Sequence, residues 1–205
     1  MHVAIALYPR FTALDAVGPY TVLGLVPGIT ATFVAAGPGP VTDDLGSLTL
    51  TATAGYAGLP HPDVIVVPGG PGTAEAMRDP ALREWLVGAR ARWTTSVCSG
   101  SFVLATAGLL DGRRATSHWG WRDGLAAFGA RPVEERVVID GPVITAAGVS
   151  AGIDMALTLL ARLRDEDTAK AVQLAIEYDP DPPFAAGSPR DVPPGLAERA
   201  LALVR

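Results

Sequence analysis

Short runs in which every residue is apolar recur along this chain. V-A-I-A-L covers residues 3–7, and V-I-V-V covers 64–67. A strand that never alternates with polar residues has both faces covered. Such strands belong to a parallel sheet held between helical layers, and the segments between them carry helical spacing. Helices are expected over residues 11–25, 82–91, 99–107, 150–163 and 167–177. Further strands are expected at 32–36, 94–97 and 143–147. L-T-L-T-A-T at 48–53 alternates, and reads as a half-exposed strand. Residues 179–194 are rich in Pro and Asp and are expected to be irregular, before a last short helix at 195–205. No internal repeat or linker divides the chain. The expectation is one α/β domain over residues 1–205 with a mostly parallel sheet.

Charge and composition exclude several classes of function. The net charge is −5, and no block of Lys and Arg appears, so the footprint of a nucleic-acid binder is missing. No apolar run approaches the ~18 residues that span a bilayer. The N-terminus, M-H-V-A-I-A-L-Y-P-R, has no basic region and no small-residue cleavage site. It reads as a first strand, and the expected location is cytoplasmic. One cysteine, Cys98, excludes an internal disulfide. His2, His61 and His118 are scattered without metal-ligand spacing, so neither a metal nor a cofactor is expected.

That single cysteine stands in T-T-S-V-C-S-G-S-F, residues 94–102, where a strand gives way to a helix. In open α/β sheets, ligands sit at the carboxyl ends of the strands. A thiol there faces unpaired N–H groups and the positive end of a helix, which favour the thiolate. The small residues Ser99, Gly100 and Ser101 leave room for a ligand. The turn is similar to a nucleophile elbow, although Ser96 stands where that motif has its first glycine. The ordinary alternative is a small buried apolar residue.

Three more features share that edge. Asp15 lies in F-T-A-L-D-A-V-G-P after the first strand, as an acid–base group or as a helix N-cap. Pro68-Gly69-Gly70-Pro71-Gly72 follows another strand. The amides of Gly69 and Gly70 are candidate oxyanion donors, or members of a plain tight turn. His118 and Trp119, in T-S-H-W at the end of a short strand, are candidate substrate contacts, or simply a pocket wall. Together these residues assemble a nucleophile, an acid and anion donors.

The motifs now have a family. F-T-A-L-D-A-V-G-P (11–19), D-V-I-V-V-P-G-G-P-G (63–72), S-V-C-S-G-S (96–101), A-T-S-H-W (115–119), A-G-V-S-A-G-I-D-M-A-L (147–157) and I-E-Y-D-P-D-P-P-F (176–184) follow one another as in the ThiJ/PfpI superfamily. The chain resembles that superfamily, and within it the isocyanide hydratase branch. The resemblance implies a flavodoxin-like three-layer sandwich, of the class I glutamine amidotransferase-like type, assembled as a homodimer. It implies Cys98 as nucleophile and Asp15 as its acidic partner. Ser99 after the cysteine, where protease-type members carry His, argues against peptidase chemistry. Asp15 in place of Glu argues against glyoxalase or deglycase action on α-oxo aldehydes, which stays open as an alternative. Thr21 stands where the family often has an acidic residue, and Ser99 replaces the Thr of the branch. A redox- or ligand-sensing module built on Cys98 is the remaining alternative. Regulators of the superfamily add a DNA-binding domain, which is not expected in a chain ending at Arg205.

Overall fold

The computed structural model describes residues 1–204; Arg205, the expected end of the last helix, lies outside the described residues. The apolar runs become strands of one central sheet: β1 (His2–Ala6), β2 (Thr30–Ala35), β3 (Ala54–Gly55), β4 (Val64–Val67), β5 (Trp93–Val97), β6 (Val137–Asp140) and β7 (Val143–Ala146). Their spatial order is β6-β7-β5-β4-β1-β2-β3. Every neighbouring pair is parallel except β6–β7. β1 and β4 have no exposed residue apart from His2, as strands covered on both faces require.

Helices cover the two faces. α1 (Ala13–Gly24), α5 (Ala151–Leu163) and α6 (Glu166–Ala175) pack together on one side. α2 (Thr73–Ala76), α3 (Pro80–Gly88) and α4 (Gly100–Thr106) pack on the other. α7 (Pro194–Leu203) closes the chain. This is the expected three-layer sandwich. Phe11, Ile5, Ile65, Ile144, Met155 and Leu159 are among its largest fully buried side chains. Among the described residues, no helix is long and apolar enough to cross a membrane.

Several boundaries move for local reasons. α3 begins at Pro80 because the Asp79 carboxylate accepts from Ala81 N at 2.9 Å and Leu82 N at 3.2 Å. A proline at the first helical position has no N–H to satisfy, so it suits that start. α6 begins at Glu166, with Asp165 accepting from Thr168 N at 2.7 Å. The alternating segment at 48–53 does not join the central sheet. Its core, Thr49–Ala52, pairs antiparallel with Gly39–Thr42, a hairpin with Thr49 and Thr51 exposed. The short strand before His118 is Arg114–Ala115, so His118 lies three residues past it, in a turn. Residues 179–193 carry only one helical turn, Pro189–Asp191.

The carboxyl ends of β1, β4 and β5 converge where the order of strands reverses. Asp15, Gly69 and Cys98 each follow one of these strands. β5 runs into α4 through a turn that lies against the end of β4. A Cβ on Gly100 would collide with the carbonyl oxygens of Val67 and Pro68. Backbone atoms cannot swing aside as a flexible side chain does. Gly100→Ala is expected to destabilise the fold by about 1–3 kcal/mol, the range for overpacking. Urea unfolding followed by circular dichroism checks this, and an unchanged midpoint refutes the close approach.

Candidate active site

Cys98 adopts φ = 56°, the left-handed region that non-glycine residues rarely enter. Such a conformation costs roughly 1–3 kcal/mol and persists only when its surroundings hold it. They do so here on both sides. The Cys98 N–H is shared between Ala146 O at 3.1 Å and Ala147 O at 2.9 Å. Its carbonyl accepts from Ser117 Oγ at 2.9 Å and Ser101 Oγ at 3.2 Å. The sharp elbow expected from the sequence is present.

Asp15 is fully buried in the first turn of α1. It is not the N-cap; that position is Thr12. Its Oδ2 accepts from Gly69 N at 2.8 Å, and its Oδ1 has no hydrogen-bond partner. Burial raises its pKa from 3.8 to about 7, against the lowering effect of the Gly69 amide. The nearby Asp44 raises it further, while the Cys98 thiol lowers it. Leu14, the residue before it, is 40% exposed and does not wall this carboxyl off. The shielding comes instead from the turn after β4. A Cβ on Gly69 would stand 2.5 Å from Ser99 N and 2.9 Å from Cys98 Cβ, so only glycine fits between them.

The two glycine amides do not point at an empty site. Gly69 N–H is committed to Asp15, and Gly70 N–H donates to Ser99 Oγ at 3.0 Å. The glycine turn therefore holds the carboxyl and the Ser99 hydroxyl in place. The backbone donors that face the Cys98 sulfur are the N–H groups of Ser99 and Val149. Val149 also has positive φ, at 30°. Sequence reasoning quoted its motif but gave this residue no role, because nothing in a valine's identity marks its amide.

The thiol is not activated in the resting site as the strand-to-helix turn suggested. Burial pushes the Cys98 pKa up to about 12, and the Asp15 charge pushes the same way. The Ser99 and Val149 amides and the Ser99 hydroxyl oppose this without overcoming it. α4 has seven residues, a short helix to carry a dipole. Near neutral pH the thiol therefore keeps its proton, and Asp15 is the group of the pair that titrates.

His118 is 7% exposed, and burial lowers its pKa, so it is neutral near pH 7. Its Nδ1 accepts from Gly120 N at 3.2 Å, which leaves the ring proton on Nε2. The half-buried Trp119 and the exposed Trp121 flank the ring, with centroids at 5.4 and 4.8 Å. Ser117 ties this loop to the elbow through the Cys98 carbonyl. A cavity of about 390 Å³ opens beside it, lined by Ser117, His118, Trp119, Val149 and residues 187–190 of the tail. Arg190 anchors the tail to Glu134 at 2.7 Å, and Leu201 sits against Gly120.

A parallel α/β sandwich with its lone cysteine on a left-handed elbow, beside a buried carboxyl, defines a class of thiol-bearing flavodoxin-like proteins. The chain belongs to the DJ-1/PfpI family, whose model matches residues 1–162. It is 44% identical over 202 residues to the isonitrile hydratase of Pseudomonas putida, covering 98% of this chain and 88% of that protein. A crystal structure of a ThiJ/PfpI family protein from Pseudomonas syringae superposes with TM-score 0.94 at 43% identity, covering 99% of this chain and 85% of that one. The transcriptional regulator CdhR of Pseudomonas aeruginosa is 42% identical over 105 residues, 48% of this chain and 29% of the regulator.

The raised Asp15 pKa has a consequence for stability. The fold favours the neutral carboxyl, so its contribution is full below pH 3.8 and is lost as pH rises to about 7. Asp15→Asn stays neutral throughout. Its melting temperature is expected to gain on the wild type across that interval, by on the order of 5 °C, and to stop gaining above it. A pH-independent difference in calorimetry refutes the burial argument.

Proposed function

We propose that this protein is a cysteine-dependent hydratase that adds water to an isocyanide to give an N-substituted formamide. The observation that carries the reading is the buried Asp15–Cys98 pair, in a chain similar over 98% of its length to an isonitrile hydratase. An isocyanide carbon must gain both a nucleophile and a proton. The pair supplies one of each from the same edge of the sheet.

The resting thiol is protonated, so attack is coupled to proton transfer. The Asp15 carboxylate takes the Cys98 proton as the sulfur bonds to the terminal carbon. Asp15 then returns that proton to the same carbon, giving an N-substituted thioimidate, R–N=CH–S–Cys98. The N–H groups of Ser99 and Val149 steady the sulfur while it carries charge. Water adds to the thioimidate carbon; one of its protons goes to Asp15 and the other to the nitrogen. Collapse expels the sulfur, which recovers its proton from Asp15 and releases R–NH–CHO. Cys98 and Asp15 end as they began, and one water is consumed. His118 Nε2–H and Trp119 stand on the wall of the adjoining cavity, where a donor and an aromatic face suit the substituent R. A reaction that needs a free thiol suits the reducing cytoplasm.

Purified protein with cyclohexyl isocyanide is expected to release the formamide. Cys98→Ala abolishes it, and Asp15→Asn lowers it by about 10²–10⁴-fold. Protonated Asp15 cannot accept the thiol proton, so kcat/KM is expected to fall as pH drops through about 7. Wild-type rates in Asp15→Asn overturn the proposed role of Asp15. Consumption of methylglyoxal without formamide transfers the reading to a glyoxalase-like enzyme. Oxidation of Cys98 with neither activity transfers it to a sensor.

The assembly we propose is a homodimer. Leu14 and Tyr20 on α1, 40% and 42% exposed, are large apolar side chains that a second copy would cover. Light scattering at micromolar concentration is expected to give twice the monomer mass; the monomer mass overturns it.

A further inference from the structure

The Ser99 hydroxyl that faces Cys98 belongs to a chain of buried hydroxyls that the mechanism above does not use. Tyr8 Oη lies 2.6 Å from Pro68 O and 3.2 Å from Thr73 Oγ1. Thr73 Oγ1 lies 2.8 Å from Ser99 Oγ and 2.7 Å from Gly70 O. Tyr8 and Thr73 are 5% and 7% exposed, so bulk water does not complete their bonding.

Each hydroxyl has one proton, and counting them limits the arrangement. Pro68 O can only accept, so the Tyr8 proton goes there. Gly70 O accepts from Thr73 N at 3.0 Å and, in the resting arrangement, from the Thr73 hydroxyl at 2.7 Å. Two patterns remain. In the first, Thr73 donates to Gly70 O and accepts from Ser99, whose proton is turned away from the sulfur. In the second, Thr73 donates to Ser99 Oγ. That oxygen then accepts from both Thr73 and Gly70 N–H, so its own proton is free for Cys98. The two patterns differ by rotation of two O–H bonds, and in the second Thr73 Oγ1 draws back from Gly70 O, to which it no longer donates. The first suits a thiol and the second a thiolate. The titratable groups around the sulfur are Asp15 from α1, whose charge disfavours a thiolate, and Tyr8 beyond the end of β1, which burial keeps neutral.

We propose that Thr73 is a positioning residue for the nucleophile: by donating to Ser99 Oγ, it commits the Ser99 proton to the Cys98 sulfur as the thiolate forms. The proposal rests on Cys98 as nucleophile, but not on the identity of the substrate. A bond from a hydroxyl to an anionic sulfur is charge-assisted, and it strengthens when the donor oxygen itself accepts another.

The test measures alkylation of the sole cysteine by iodoacetamide between pH 6 and 10, alongside hydration kinetics. Thr73→Val removes the hydroxyl and keeps the shape. It is expected to slow alkylation by about 3–10-fold across that range, the effect of stabilising the thiolate less by about 0.5–1 pH unit. kcat is expected to fall by a similar factor with KM unchanged. Thr73→Ser restores both, and Thr73→Ala, which cannot overpack, matches Thr73→Val. In a Ser99→Ala background Thr73→Val is expected to add nothing, because the hydroxyl it orients is gone. Wild-type alkylation in Thr73→Val and Thr73→Ala, or an equal loss with and without Ser99, overturns the proposal. If alkylation follows this pattern while no isocyanide is hydrated, the relay stands and the substrate reading fails.

Discussion

One hydrogen bond organises the reactive edge of this protein: Gly69 N–H to Asp15 Oδ2, at 2.8 Å. It joins the turn after β4 to the first turn of α1 and holds a carboxyl in a place water does not reach. An isolated buried carboxylate is costly, so the group is neutral over much of the pH range. Beside it stands a thiol that burial also keeps neutral. The geometry that brings the two groups together is set by a glycine with no room for a side chain.

The elbow shows how strain is kept. Cys98 and Val149 both carry positive φ, and Val149 presents its N–H to the Cys98 sulfur. The Cys98 N–H binds two carbonyls from the end of β7, and its carbonyl takes two serine hydroxyls. Those four contacts come from β7, α4 and the loop before His118. Relaxing Cys98 into an ordinary conformation would break bonds in three elements at once.

The layers of the fold were legible because all-apolar runs have one good solution, burial on both faces of a sheet. The edge positions of Asp15, Gly69 and Cys98 followed from their places after strands. The strand Val137–Asp140 was missed, although Asp-Gly at 140–141 between apolar residues is a hairpin sign and Gly141 has φ = 61°. The roles of the Gly69 and Gly70 amides were misjudged because a sequence shows that donors exist, not what already occupies them. Thiol activation was overestimated for a related reason. A strand-to-helix turn announces dipoles and amides, but the desolvation that outweighs them depends on packing from both layers. Thr73, Ser117 and Val149 went unassigned because ordinary residue types reveal a role only through the atoms they meet.

The family match ends at residue 162, yet residues 187–190 form part of the cavity wall beside the elbow. Part of the wall therefore belongs to a different stretch of chain from Asp15 and Cys98. The stretch that holds Asp15 and Cys98 is locked by buried bonds and admits little change. The tail is mostly exposed and tied down at points such as Arg190 to Glu134 and Leu201 on Gly120. Substitutions there can reshape the chamber without disturbing proton exchange. Descendants of one such chain can diverge in what the chamber admits through its last fifth while the bonds around Asp15 and Cys98 stay as they are.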